Sequence, residues 1–272
     1  MRTFDFVLFG IRLRIDCPDA LSVSLVVGNF GVFEIAEPAL PPHYSYKIER
    51  ALDGLGYAVF ADHRPEHIAR DAYELMYCLE KFVTVDVQLR RPDLFFVHAA
   101  ALQRNGRACL LVAPPGSGKS TTAWALLHNG FGYLSDELAP VDLDALTVLP
   151  YPHALCLKRP PPAPYALPPH VIATGRTLHV PAAAFASNVN APVPLACIFF
   201  NQYDPTTTEP AASKLSAGAA SALLYANGLN QLAHSGDGLA AAAAIAGRVG
   251  CYRLTTADLT KTCELVASIM TG

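Results

Sequence analysis

Residues 109–137 read CLLVAPPGSGKSTTAWALLHNGFGYLSDE. Cys109-Leu110-Leu111-Val112 is a short apolar run of buried-strand character. Ala113 to Gly118 is a glycine-bearing loop, and Lys119 to Leu127 holds good helix formers stopped by Asn129-Gly130. Strand, glycine loop, Lys-Ser and helix is the context that the phosphate-loop pattern G-x-x-x-x-G-K-[ST] requires. In that reading Pro115, Gly116, Ser117, Gly118, Lys119, Ser120 and Thr121 cradle phosphate with backbone N–H groups and the helix N-terminus. Lys119 reaches the β/γ oxygens and the Ser120 hydroxyl ligates Mg²⁺. Ala113 stands where the pattern has its first glycine, while Gly116 and Gly118, nearest the phosphates, are kept. The stretch predicts a nucleotide site.

Composition narrows the setting. The chain has 272 residues, 52% hydrophobic and 16% charged, with a net charge of −3. A sizeable core is available, in one large domain or two modest ones, and the balance argues against a nucleic-acid footprint. The seven cysteines are scattered and form no C-x-x-C pair, which reads as reduced core thiols. Neither a signal peptide nor an apolar run long enough to span is visible. The expectation is a soluble, cytoplasmic protein without membrane partners.

Upstream, residues 3–15 alternate as a strand or hairpin with Gly10 at a turn, and Leu21 to Phe33 is ambiguous between helix and strand. Two strands are expected in Tyr44–Phe60 around a turn at Asp53-Gly54. Pro65 to Val87 reads as one long helix, because Ile68, Ala72, Leu75, Met76, Leu79, Phe82 and Val83 recur near a period of 3.6. Residues 1–90 thus form a small N-terminal α+β unit, a scaffold or a substrate-docking element, with a boundary near Arg91-Pro92.

From residue 91 to 272 the texture changes, and this stretch is taken as a second domain, the one that carries the glycine loop. Leu94 to Leu102 is an apolar strand carrying His98; the turn at Asn105-Gly106 then makes a hairpin with the strand that enters the glycine loop. Short strands flanking Asp144-Ala145 point to antiparallel pairing. Residues 159–169, RPPPAPYALPP, contain six prolines and are expected to be a mobile surface loop. Leu195–Phe200 reads as a fully buried strand, and Thr256 as the N-cap of the last helix. The fold class is α/β, with a mixed, partly antiparallel sheet.

Asp136 and Glu137 end the strand next to the glycine loop. One carboxylate can serve Mg²⁺ while the other orients or deprotonates a hydroxyl, and a raised pKa on one would suit a base. A plain metal-holding acid beside a bystander is equally compatible with the residues. A lone histidine such as His98 in an apolar strand is more often a core residue than a catalyst.

Val97-His98-Ala99-Ala100, Ala113-Pro-Pro-Gly-Ser-Gly-Lys-Ser-Thr121 and Leu134-Ser-Asp136-Glu137-Leu together resemble the catalytic domain of bacterial HPr kinase/phosphorylase, most of all the HprK-related kinase A branch. That branch in turn resembles the kinases of lasso-peptide gene clusters. The interval from His98 to Lys119 is 21 residues and from Lys119 to Asp136 is 17, in keeping with the family pattern. Weaker echoes are Ala154-Leu-Cys-Leu-Lys158, Phe199-Phe-Asn-Gln-Tyr203 and Tyr252-Arg-Leu with Asp258, so the resemblance runs from about residue 94 to the end.

The resemblance implies a fold shared with PEP carboxykinases and a set of roles. Asp136 would be the general base for a serine hydroxyl, Lys119 and Ser120 would hold phosphate and Mg²⁺, Glu137 would support the metal, and His98 would line the site. HPr kinase carries two aspartates where this chain has Asp136-Glu137. The family's glycine-rich signature after the acidic pair is missing, and the proline-rich loop stands near its place, which argues against HPr as substrate and against phosphorolysis. Lys158, Arg159 and Arg176 are candidate phosphate or substrate contacts.

The leading expectation is a kinase dependent on ATP and Mg²⁺ that acts on a serine or threonine hydroxyl of a peptide or protein. The alternatives are a small-molecule kinase, for instance on free serine, and a non-catalytic nucleotide-gated binding module. HPr kinases are oligomers, and a homo-oligomer is left open.

Overall fold

In a computed structural model of the chain, which describes residues 1–51, 54–185 and 191–271, β1 (Arg2–Leu8) and β2 (Ile11–Cys17) form an antiparallel hairpin. Its turn residues Phe9 and Gly10 both take positive φ, 51° and 80°, the geometry that matches strand twist in a two-residue turn. The ambiguous stretch that follows is helical: α1 spans Ala20–Phe30, and a short 3₁₀ turn continues it over Gly31–Phe33. Asp19 decides this, because its side chain accepts from the Ser22 N–H while the Ser22 hydroxyl accepts from the Asp19 N–H, a reciprocal cap.

β3 (Tyr44–Arg50) runs parallel to β2, and β4 (Tyr57–Ala61) pairs with it antiparallel. Asp53 of the expected Asp53-Gly54 turn lies outside the described residues. The long helix expected from Pro65 is shorter. β5 (Arg64–Ala69) is a strand at the edge of the order β1-β2-β3-β4-β5, and α2 begins at Ala72 and ends at Arg90. An edge strand tolerates Pro65. Ile68, placed by periodicity on the helix, is an exposed strand residue; Asp71 then caps α2 through the Glu74 N–H.

The chain next enters a larger sheet. β6 (Leu94–Val97), β7 (Ala99–Arg104) and β8 (Arg107–Val112) precede α3 (Lys119–His128). β7 and β8 form the hairpin read from Asn105-Gly106, both at positive φ. β9 (Gly132–Ser135), β10 (Ala139–Asp142) and β11 (Thr147–Val148) follow; β10 and β11 pair antiparallel. Three short strands come next: β12 (Leu155–Leu157), β13 (Ile172–Ala173) and β14 (Leu178–Val180). The chain then returns to the large sheet with β15 (Val193–Tyr203) and β16 (Ala211–Lys214), adds α4 (Ala217–Ala226) and α5 (Leu239–Ala246), and closes with β17 (Gly250–Thr256) and α6 (Leu259–Thr271).

The sheet order is β6-β10-β11-β15-β8-β7-β9, with β17 beside β15 and β16 beside β17. β15 runs parallel to both β8 and β17, while β7, β9, β10, β11 and β16 supply antiparallel pairs. The fold is therefore mixed α/β. Leu110, Val112, Ile198 and Phe200 on one face of this sheet pack with Ala220 and Leu224 of α4 and Ala242 and Ile245 of α5. Each of the Leu, Val, Ile and Phe side chains among them contributes roughly 1.5–3 kcal/mol by leaving water.

The last helix is capped by Asp258, whose carboxylate accepts from the Lys261 N–H at 2.9 Å, and not by Thr256. The strand β17 runs on through Thr256, so its backbone is committed to the sheet.

The chain divides into two compact units: Met1–Arg91 with Cys156–Pro160 and Leu167–Ala184, and Pro92–Leu155 with Pro161–Ala166 and Phe185–Gly272. Within the second, the proline-rich segment is not free. Tyr165 is buried, its carbonyl accepts from Trp124 Nε1 at 3.1 Å, and its hydroxyl lies 3.0 Å from Thr260 Oγ1. All seven cysteines are free thiols. Among the described residues no helix is long and apolar enough to cross a membrane.

Candidate functional site

β8 ends at Val112, and the 113–118 loop carries the chain to the first turn of α3. Gly116 and Gly118 take φ of 89° and 80°, a left-handed backbone that a side chain would strain. No side chain caps α3, so its first-turn N–H groups are available to an anion. Lys119 and Ser120 occupy that first turn.

Their partners are the acidic pair. Lys119 Nζ donates to Asp136 Oδ1 at 2.8 Å and to Glu137 Oε1 at 2.7 Å, and Ser120 Oγ donates to Asp136 Oδ2 at 2.9 Å. Neighbouring strand residues face opposite sides, yet here both carboxylates meet one ammonium. The backbone explains it. β9 stops at Ser135, Glu137 takes φ of 64°, and the Leu138 N–H bonds to the Asp136 carbonyl at 2.8 Å. This is a γ-turn of the positive-φ kind, rare and strained in a non-glycine residue. The ion pairs of Glu137 hold it in place.

His98 occupies a break in the apolar run. β6 pairs with β10 and β7 with β8 and β9, and the residue between them belongs to neither strand. Its N–H donates to the Asn227 carbonyl at 2.8 Å, and its ring Nε2 lies 2.6 Å from Glu137 Oε2. His98, which composition alone would leave in the core and which the resemblance puts at the site, is thus a partner of Glu137.

Electrostatics follow from this packing. Lys119 is 5% exposed and Asp136 0%. Burial pulls the Lys119 pKa down, but Asp136 and Glu137 outweigh it and hold the ammonium above its ordinary value. Burial pushes Glu137 up, but the His98 hydrogen bond and the Lys119 charge outweigh it and hold the carboxyl well below the carboxylate range. Glu137 is therefore anionic at neutral pH and unsuited to the raised-pKa base expected of one member of the pair. His153, missed in the sequence, is buried; burial holds its pKa low against the pull of Asp136 and Glu137, so it stays neutral.

The donors fit Mg²⁺ and a polyphosphate. A serine hydroxyl and two carboxylates are hard oxygen ligands. Among the described residues no group of three or more His, Cys, Asp or Glu is gathered to hold a metal by itself. Mg²⁺ suits such a sparse set, because it keeps water and takes substrate phosphate oxygens.

Lys158, Arg159 and Arg176 belong to the other compact unit. There Arg176 bonds to Asp71 at 2.9 Å, approaches Glu74 at 3.9 Å and lies over the Tyr73 ring.

No family model matches this chain, and no curated protein matches it. Among solved structures it is similar to the Hpr(Ser) kinase/phosphatase from Coxiella burnetii, with 13% identity, 65% of this chain and 97% of that chain covered, and a TM-score of 0.30. A likeness of that size bears on neither activity nor mechanism.

Proposed function

We propose that this protein is a kinase that transfers the γ-phosphate of ATP, with Mg²⁺, to a serine or threonine hydroxyl of a peptide or protein. The observation that carries the reading is the joining of Lys119, Ser120, Asp136 and Glu137 by hydrogen bonds of 2.7–2.9 Å at the end of a glycine loop. Phosphoryl transfer needs little beyond this: a cradle, charge compensation and a group that accepts the nucleophile's proton.

The 113–118 loop and the first-turn N–H groups of α3 would bind phosphate oxygens, and Lys119 would neutralise them. Ser120, with Glu137 and Asp136, would hold Mg²⁺, which supplies charge stabilisation of the transferring group. Asp136 accepts hydrogen bonds at both oxygens, one from Lys119 and one from Ser120. In this reading Asp136, beside both the phosphate-holding Lys119 and the Mg²⁺-holding Ser120, is the base that takes the acceptor's hydroxyl proton. His98 fixes the orientation of Glu137 by its 2.6 Å contact. The HPr kinase-like fold suggested by the residue pattern, and a docking role for residues 1–90, belong to this same proposal.

The test is phosphate transfer from γ-labelled ATP in the presence of Mg²⁺, with Lys119→Ala and Asp136→Asn beside the wild type. Asp136→Asn is expected to keep ATP binding and lose transfer by at least about a hundredfold. An Asp136→Asn protein that transfers at the wild-type rate would remove Asp136 as base, and ATP binding without transfer by the wild type would favour a nucleotide sensor.

A further inference from the structure

We infer that the ring of Tyr203 is the platform on which the base of the bound nucleotide stacks. This deepens the nucleotide reading of the glycine loop and rests on it.

Strand direction lays out the site. β7 pairs antiparallel with both β8 and β9, and β15 runs parallel to β8, so β8, β9 and β15 all end at one edge of the sheet. The glycine loop leaves β8 at that edge. In the order β15-β8-β7-β9, Asp136 and Glu137 follow β9 on one side of the loop, and the end of β15 lies on the other. Three strand spacings, roughly 14 Å, separate the two flanks. A nucleoside triphosphate is an extended molecule with its reacting phosphate at one end and its base at the other. With phosphates in the 113–118 loop and the γ-phosphate turned to the acidic pair, the base points to the β15 flank.

Tyr203 stands on that flank. β15 outruns β8: their pairing stops at Phe200 and Val112, and β15 continues beside β17 until Tyr203 meets Thr256. Ile198 and Phe200 pack toward α4 and α5, so alternation turns Phe199, Asn201 and Tyr203 to the opposite face. There Tyr203 borders the glycine loop, since a Cβ at Gly118, the residue before α3, would lie 3.9 Å from Tyr203 Cβ.

The fold itself makes no use of the ring. Tyr203 is 54% exposed. Among the described residues its ring contacts no other ring or cation, and its hydroxyl makes no hydrogen bond. A scattered exposed aromatic is ordinary. This one is held by a paired strand at the rim of a phosphate cradle, on the side away from the acids. An aromatic face there suits a nucleobase, because every base has a π-face and stacking requires no hydrogen-bond partner.

The experiment measures binding of ATP and of inorganic tripolyphosphate, each with Mg²⁺, by calorimetry to wild type, Tyr203→Ala and Tyr203→Phe. Tyr203→Ala is expected to weaken ATP about tenfold, the scale of one base–aromatic stack, and to leave tripolyphosphate at its wild-type affinity. Tyr203→Phe keeps the ring and should bind ATP as the wild type does.

ATP bound equally by wild type and Tyr203→Ala overturns the platform and leaves the kinase standing. An equal loss of ATP and tripolyphosphate does the same, because the effect then lies in the glycine loop. So does a Tyr203→Phe protein as weak as Tyr203→Ala, which would move the contact from the ring to the hydroxyl. Wild type that binds no ATP sinks the nucleotide reading and this inference with it.

Discussion

Lys119 Nζ lies 2.8 Å from Asp136 Oδ1, with the lysine 5% exposed and the aspartate fully buried. Breaking a buried pair by removing one partner costs up to about 3–5 kcal/mol, reduced here because Glu137 still meets Lys119 and Ser120 still donates to Asp136. Lys119→Ala and Asp136→Asn should each lower Tm, and the double variant should lose clearly less than the sum of the two. Thermal denaturation of the four proteins measures the coupling. Additivity within about 0.5 kcal/mol would mean that the two residues are not energetically coupled.

Asp19 makes a pH-dependent contribution to the first unit. It accepts from the Ser22 N–H at 2.9 Å, pairs with Arg50 at 2.7 Å and receives the Tyr57 hydroxyl. Burial pushes its carboxyl up, but the Ser22 bonds, Tyr57 and Arg50 outweigh it and hold the pKa below 3.8. The folded value lies below the unfolded one, so the stabilisation is full above that pH and fades as pH falls through the folded value. Asp19→Asn keeps a capping oxygen, while Asp19→Ala loses about 1 kcal/mol of cap. Urea midpoints between about pH 3 and pH 6 should show wild type and Asp19→Asn converging at the acid end. A constant gap would separate Asp19 from that dependence.

Several elements were legible because local chemistry and tertiary context agree. Asn105-Gly106 demands positive φ and takes it, and the apolar 195–200 run lies inside β15 with partners on both sides. β5 was not legible, because an edge strand buries almost nothing and leaves no alternation to read; Ile68 then extended the period of α2 backwards. The break at His98 hides in a continuous apolar run, since both flanking strands are buried and nothing polar marks the change of partner. The convergence of Asp136 and Glu137 depends on a γ-turn that composition does not encode; Lys119 and His98, distant in sequence, stabilise it. The surroundings of Arg176 were hidden for a similar reason, because Asp71, the cap of α2, lies 105 residues away.

Tyr165 anchors a segment that six prolines would otherwise leave extended. Its ring is buried, and its hydroxyl meets Thr260 at 3.0 Å and Asn129 Nδ2 at 3.3 Å. Tyr165→Phe should cost about 1 kcal/mol, the net worth of a hydrogen bond. Tyr165→Ala should cost about 3–5 kcal/mol and open the segment to limited proteolysis between residues 161 and 166. Wild type cleaved there as fast as Tyr165→Ala would show that the segment is loose despite its anchor.

Arg176 should affect stability slightly and catalysis not at all. Its guanidinium is committed to Asp71 and to the face of Tyr73, within its own unit. At 56% side-chain exposure, such a pair is worth about 0–1 kcal/mol after screening by solvent. Asp71 caps α2 through the Glu74 N–H, so Arg176→Ala also frees a carboxylate that still caps. The expected result is a Tm within a few degrees of wild type, less salt dependence of stability, and unchanged KM for ATP and acceptor. A tenfold rise in either KM, with Tm unmoved, would return Arg176 to the substrate contacts.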